Sequence, residues 1–307
     1  VRCTLIVVFL ALILAPCSAM PPRDALDVND LVHRALANHA QREAVRVDYT
    51  YVARVRWTDF VSPGRSKPRI TDTYEIIFLE DAPYARHLTR GGQPLPADQE
   101  KLEEALMQAE GRARCAETSG HSGLLPGSRP GGKLTWTLEH LNEEFNLRGK
   151  GMSVLNGRRV YVVEALPREN PTQPAAVNDY SRYFKTTLWI DVAEQQIVRL
   201  KEELVQDGLV ITQPAFSFAY PLAPQNPQIS ESGTLRATHA RGGLFTIQWT
   251  KLNDEIWLPQ KSQSRGRSEL AIERLDGEVT HYKNVRHEIE TTYSDYKKFR
   301  VKTRIVP

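Results

Sequence analysis

Two stretches of the chain show one pattern of apolar and polar positions. Thr187 to Glu203 reads TLWIDVAEQQIVRLKEE, and Phe245 to Lys261 reads FTIQWTKLNDEIWLPQK. Each is a pair of alternating runs joined by a short polar break. Period two separates the faces of a strand, and the break returns the chain antiparallel. Each stretch therefore predicts a β-hairpin with tryptophan in its strands.

The N-terminal third mixes both periods. Val28, Leu31, Val32, Ala35 and Leu36 form one helical stripe, with Asp24 or Asp27 placed to cap it. Val47, Tyr49, Tyr51, Ala53, Val55 and Trp57 then occupy one face of a long strand. Asp48, Thr50, Arg54 and Arg56 occupy the other, with Val52 the exception. Tyr74 to Leu79 and Tyr84 to Thr89 predict two short strands. A helix follows Pro96, with Leu102, Ala105, Leu106 and Ala109 on its stripe and Asp98 and Glu100 at its positive end. It ends near Cys115, and Leu138, Leu141 and Phe145 suggest one more short helix.

Beyond this point strands and turns dominate. Asn156-Gly157, Asp207-Gly208 and Asp276-Gly277 are two-residue turn signals that accept positive φ. The predicted strands are Val160 to Ala165, Phe184 to Ile190, Ile197 to Val205, Leu209 to Thr212, Leu244 to Lys251 and Ile256 to Lys261. Leu270 to Glu273 and Val279 to Tyr282 follow, and Val285 to Ile305 adds two more. Roughly ten to twelve strands with a few helices make a mainly β (α+β) protein, built on a large curved antiparallel sheet. The Gly/Ser/Pro-rich residues 117–133 and the segment from Pro214 to Pro227, with four prolines, read as loops.

The start of the chain has its own character. Arg2 precedes an unbroken apolar run of eleven residues, Leu5 to Ala15, and then Pro16-Cys17-Ser18-Ala19. This is the outline of a signal peptide over 1–19 with cleavage before Met20, which predicts a periplasmic or secreted protein. A lipoprotein signal acylated at Cys17 is the alternative, and Pro16 departs from that pattern. Cleavage leaves Cys115 as the single cysteine, so no internal disulfide staples residues 20–307. They read as one domain with insertions near 96–133 and 213–232. The formal net charge of +3, without a basic cluster, argues against nucleic acid as a partner.

Chemical motifs fail on inspection. Gly127 to Leu134 misses the phosphate-binding loop because Leu134 stands where a magnesium-holding hydroxyl belongs. Gly120-His121-Ser122-Gly123-Leu124 misses the hydrolase elbow because Leu124 stands where that turn needs glycine. His33 and His39, like His281 and His287, are six residues apart, which suits neither a helix face nor a strand face, so no metal is expected. Glu143-Glu144 and Glu202-Glu203 are adjacent, and in a strand such neighbours point apart. No catalytic residue and no cofactor is predicted. The aromatic positions stand out instead: Tyr49, Tyr51, Trp57, Phe78, Trp189, Trp249 and Trp257 are the candidate cargo-binding residues. A sheet this large has more apolar face than a few helices can cover.

At the hairpins the chain resembles the LolA/LolB-type superfamily of bacterial envelope proteins that carry or receive lipoproteins. The resemblance rests on Asn156 to Ala165, on Leu188-Trp189-Ile190-Asp191 with Ile197-Val198-Arg199-Leu200, and on Glu255-Ile256-Trp257-Leu258-Pro259. It implies an open β half-barrel whose concave side is covered by helices, and related domains sense envelope stress. The carrier's lid-holding arginine matches no definite position; Arg54 and Arg56 are candidates. The expectation is a non-enzymatic envelope protein binding an acyl chain, a lipoprotein or another amphiphile. A sensor or scaffold binding a polypeptide, and a periplasmic hydrolase, are the alternatives.

Overall fold

The computed structural model describes residues 27–62, 65–79, 82–117, 138, 141, 145–168, 183–214, 233–274 and 279–298. The predicted signal segment 1–19, Cys17, residues 118–133, residues 215–227, Glu143-Glu144 and the Asp276-Gly277 turn lie outside them, as do both failed motifs.

Two long helices are present among these residues. The first, α1 (Val28–Arg46), starts at Asp27, whose Oδ1 accepts from the backbone N–H of Asn29 at 2.9 Å and of Asp30 at 3.4 Å. It runs ten residues past Leu36, through His39, Arg42 and Arg46, which continue the buried stripe. The second, α2 (Ala97–Glu117), carries Asp98 and Glu100 in its first turn and packs on the sheet near its N-terminal edge. No helix among the described residues is long and apolar enough to cross a membrane.

Thirteen strands form one sheet. Those before α2 are β1 (Tyr49–Ser62), β2 (Arg65–Leu79), β3 (Ala82–Arg90) and the short β4 (Gln93–Pro94). After it come β5 (Phe145–Leu155), β6 (Arg158–Pro167), β7 (Phe184–Asp191), β8 (Gln196–Leu204) and β9 (Leu209–Pro214). The last four are β10 (Gly233–His239), β11 (Leu244–Leu252), β12 (Ile256–Arg274) and β13 (Val279–Lys298). The order is β4-β3-β2-β1-β13-β12-β11-β8-β7-β6-β5, every pair antiparallel, and the two end strands do not meet. The sheet is open.

Both opening hairpins form as expected, β7–β8 and β11–β12. Asn156 (φ 50°) and Gly157 (φ 78°) take the paired left-handed geometry that joins β5 to β6. Three readings change. Phe145 opens an edge strand instead of closing a helix, while Leu138 and Leu141 are helical. Ile256 to Lys261 and Leu270 to Glu273 merge into β12, and the strands predicted from Val279 merge into β13 as far as Lys298, with 299–305 outside the described residues. The flank of β12 is shared, its first half pairing β11 and its second half β10. β10 then carries β9 as a side branch.

The apolar interior divides into groups. The largest joins Leu31, Val32 and Ala35 of α1 to Val163, Leu188, Leu200, Ile247 and Trp249 of the sheet. A second joins Tyr51, Ala53 and Val55 to Tyr74, Ile76, Ala85 and Tyr293. A third is Tyr49 with Ile256 and Leu258. α1 begins on the first group, and its C-terminal turns reach the second.

Candidate functional site

The informative surface is where α1 passes between these two apolar groups. Its stripe is Leu31, Val32 and Ala35 at first, then His39, Arg42 and Arg46. All six are buried, so the helix covers its second stretch of sheet with basic side chains. Such a face normally carries leucine or valine.

Arg42 lies flat against the sheet. Its guanidinium carbon is 4.6 Å from the centroid of the Trp249 ring, and its Nη1 donates to the carbonyl of Ile197 at 3.0 Å. The side chain is 4% exposed, and its Nε is 3.6 Å from Glu43 Oε1. Burial lowers its pKa to about 10, which still leaves it charged at neutral pH. Arg46 sits one turn on. Its guanidinium carbon is 5.5 Å from the Phe78 ring centroid, and its Nη2 is 3.0 Å from Glu43 Oε2. Two cations thus share one carboxylate.

His39 adds no charge. Burial, and then the nearby Arg42 and Arg46, push its pKa down to about 2. Its Nδ1 faces Arg42 Nη2, so the neutral ring accepts there, and the ring meets Trp249 edge-on at 5.8 Å. Three of the buried nitrogens without a hydrogen-bond partner among the described residues lie on this helix face: His39 Nε2, Arg42 Nε and Arg46 Nε. Buried polar atoms are normally satisfied, and here three donors on one buried helix face are not.

The helix is also tied down by polar contacts. Asn38 Nδ2 donates to the carbonyls of Glu194 (3.1 Å) and Gln195 (3.0 Å) in the β7–β8 turn. That turn is held in place by Glu194, whose side chain pairs with Lys251 and Arg158 and accepts from the Trp257 indole.

The predicted aromatic residues do not form one patch. Trp249 and Trp257 belong to the first apolar group, Tyr51, Trp57 and Phe78 to the second, and Tyr49 to the third. Trp189 alternates with the buried Leu188 and Ile190, which points it away from them, and it packs only partly buried against the first group, with Arg199 4.8 Å from its ring centroid. Arg46 connects Phe78 to the same helix turn that places Arg42 on Trp249. Arg54 and Arg56 face outward, 51% and 58% exposed, toward Asp295 and Glu290. The arginines that hold a helix to the sheet are on α1.

A second polar group lies under α2. Tyr74 stacks on His87 at 4.7 Å, His87 Nε2 is 2.8 Å from the Thr89 carbonyl oxygen and 3.6 Å from Asp72 Oδ2, and the Tyr84 hydroxyl donates to Glu103 at 2.8 Å. Burial raises the pKa of Asp72 and lowers that of His87. The His87 and Asp72 side chains are 0% and 1% exposed. Glu203 shares a face with Lys201, 3.3 Å away, as alternation in β8 requires, so Glu202 points elsewhere. No group of three or more metal-type side chains occurs among the described residues.

The chain matches no protein-family model and no curated protein. It is similar to solved structures. An outer membrane lipoprotein-sorting protein domain from Vibrio parahaemolyticus is 12% identical over 89% of this chain and 95% of that one, with a TM-score of 0.34. A DUF1329 family protein from Desulfovibrio piger is 10% identical over 90% and 95%, again at 0.34. MucB in complex with MucA from Pseudomonas aeruginosa gives 11% over 89% and 100%, at 0.24. The side chains of this protein carry the functional reading.

Proposed function

We propose that this protein is a non-enzymatic cell-envelope binder of an amphiphile, whose acyl part lies on the sheet between Trp249 and Phe78, beneath the C-terminal half of α1. One observation supports this above the rest: an aromatic, apolar wall is covered by the charged Arg42 and Arg46. Covering such a wall with ions is costly unless every donor is paired, and here Arg46 Nε has no hydrogen-bond partner and Arg42 Nε only a 3.6 Å ion-pair contact with Glu43. An acyl chain would cover the wall better. Burying roughly 300 Å² at about 25 cal/mol per Å² gives several kcal/mol before the entropy of association, enough for micromolar binding. Export through the segment 1–19 belongs to the same reading.

The test is direct. Protein purified from its own envelope retains amphiphiles detectable by native mass spectrometry, and the emptied protein binds a fluorescent fatty-acid analogue. Trp57→Lys lowers that binding, whereas Arg54→Ser and Arg56→Ser, on the outer face, leave it unchanged. A clean apo mass together with no probe binding would falsify the reading.

A second reading, a scaffold for an extended polypeptide, draws on β5. Among the described residues this strand pairs only β6, and it exposes Met152 and Val154, the latter 68% exposed. Its register shift between Gly149 and Gly151 breaks the free edge, which is why the first reading is preferred.

A further inference from the structure

We infer that the ligand's head is anionic, a carboxylate or a phosphate, and that Arg42 and Arg46 are the residues that bind it. This rests on the amphiphile reading above and adds the chemistry of the head.

The charge on the buried face of α1 does not balance. Arg42 and Arg46 bring two positive charges, Glu43 brings one negative charge, and His39 is neutral. Glu43 is the only carboxylate that ion-pairs with either arginine among the described residues, and it approaches from the more exposed side, at 26% against 4% and 10%. The aromatic rings of Trp249 and Phe78 attract the guanidinium faces but neutralise nothing. One net positive charge remains in a buried setting.

Donor geometry points the same way. A guanidinium offers five N–H groups in a planar fork that matches two oxygens of one anion. Arg42 spends its Nη atoms on the Ile197 carbonyl and on His39 and keeps its Nε 3.6 Å from Glu43, beyond hydrogen-bond reach, while Arg46 spends Nη2 on Glu43. The Nε donors of both, with His39 Nε2, are the buried groups left over. They lie on consecutive turns of one helix, beside the rings proposed to receive the chain. An anion placed there supplies the missing charge and the missing acceptors together. A neutral head supplies at most the acceptors.

Isosteric removal separates binding from folding. Removing one partner of a buried pair destabilises, so Arg42→Met and Arg46→Met are first checked for the wild-type circular dichroism spectrum, and Arg42→Lys and Arg46→Lys, which keep the charge and lose the planar fork, serve in place of any variant that does not fold. The readout is a ratio within each protein, which cancels a general loss of affinity. Affinities of the full chain for palmitate, hexadecyl phosphate, hexadecanol and inorganic phosphate are measured by calorimetry. The expectation is that at least one of the two anionic amphiphiles binds roughly tenfold or more tighter than hexadecanol, and that each variant shrinks the difference. Which anion binds tighter tells the head chemistry. Equal binding of all three long-chain probes, unaltered in the variants, overturns the anionic head and leaves the amphiphile reading intact. Binding of none overturns both. Inorganic phosphate binding as tightly as hexadecyl phosphate keeps the anion site and removes the acyl wall.

Discussion

The indole N–H of Trp257 donates to Glu194 Oε2 at 2.8 Å, across from the opposite hairpin. Glu194 also receives Lys251 and Arg158, each at 3.0 Å, while its main-chain carbonyl accepts from Asn38 of α1. One turn residue therefore ties two hairpins and the helix together.

Glu194→Gln keeps an acceptor for Trp257 and loses the charge that holds Lys251 and Arg158. Burial opposes ionisation of Glu194, but the Trp257, Lys251 and Arg158 hydrogen bonds outweigh it and hold the carboxyl below its usual range. A depressed carboxylate contributes stability above the unfolded-state value and loses it as pH falls through the folded one. Denaturant unfolding should show the wild type losing stability below about pH 4.3, and the variant a flatter profile there. Identical profiles would remove the turn from the account.

His39 should act over a higher window. Folded, its pKa is about 2; unfolded, it returns to roughly 6.5. Between the two the unfolded chain holds a proton that the folded chain does not, so stability falls as pH drops below 6.5. The slope approaches about 1.4 kcal/mol per pH unit for this one group. His39→Gln should abolish that part of the slope between pH 6.5 and 5. An unchanged slope would mean that the ring is protonated in the folded state.

Gly149 is the close approach between β5 and α1. A Cβ there would run into the Tyr161 hydroxyl and come within 3.0 Å of Val28 Cγ2. Gly149→Ala should cost roughly 1–3 kcal/mol in chemical unfolding. Gly151→Ala, with open space around it, should be strained only through its φ of 101°. The pair separates crowding from backbone conformation.

At Gly157 the cause is backbone alone. Its φ is 78° with nothing near the Cβ position, so Gly157→Ala should lower stability by about 1 kcal/mol, and Gly157→Asn by less. Thermal midpoints of the two variants give the comparison.

What could be read from the chain follows from local physics. The hairpins at 187–203 and 245–261 were legible because both their alternation and their turns are local. β12 was read as two strands, and the stretch from Val279 as three, because polar, charged and glycine-bearing stretches such as Ser264 to Ser268 interrupt the apolar pattern; the ladder holds β12 and β13 extended regardless. Phe145 was assigned to a helix because three apolar residues at spacings of three and four precede a glycine-bearing edge strand. The extent of α1 was underestimated for the reason that makes it interesting. A stripe reading stops where apolar residues stop, and His39, Arg42 and Arg46 look like a solvated face until a sheet with aromatic rings is found beneath them. Their spacing, continuing from Ala35, was the available signal. Tyr51 and Trp249 were recognisable as aromatic wall, whereas the face taken by Trp189 depends on which side of β7 is covered.

The placement of β1 between β2 and β13 bears on how the chain reaches this form. Arg54 and Ser294 lie 240 residues apart in sequence, yet their side chains meet on paired strands. One neighbour of β1 arrives at once as the next strand, and the other is the last strand described. Until β13 emerges from the ribosome, β1 presents a long unpaired edge, with β2 as its only companion. Contacts of such separation slow folding, because a large loop must close before they are rewarded. The half-finished sheet is thus a protracted, adhesive species, and its completion has to wait for β13. A nascent chain of this design would stay extensible until β13 is made and commit to its final shape only then.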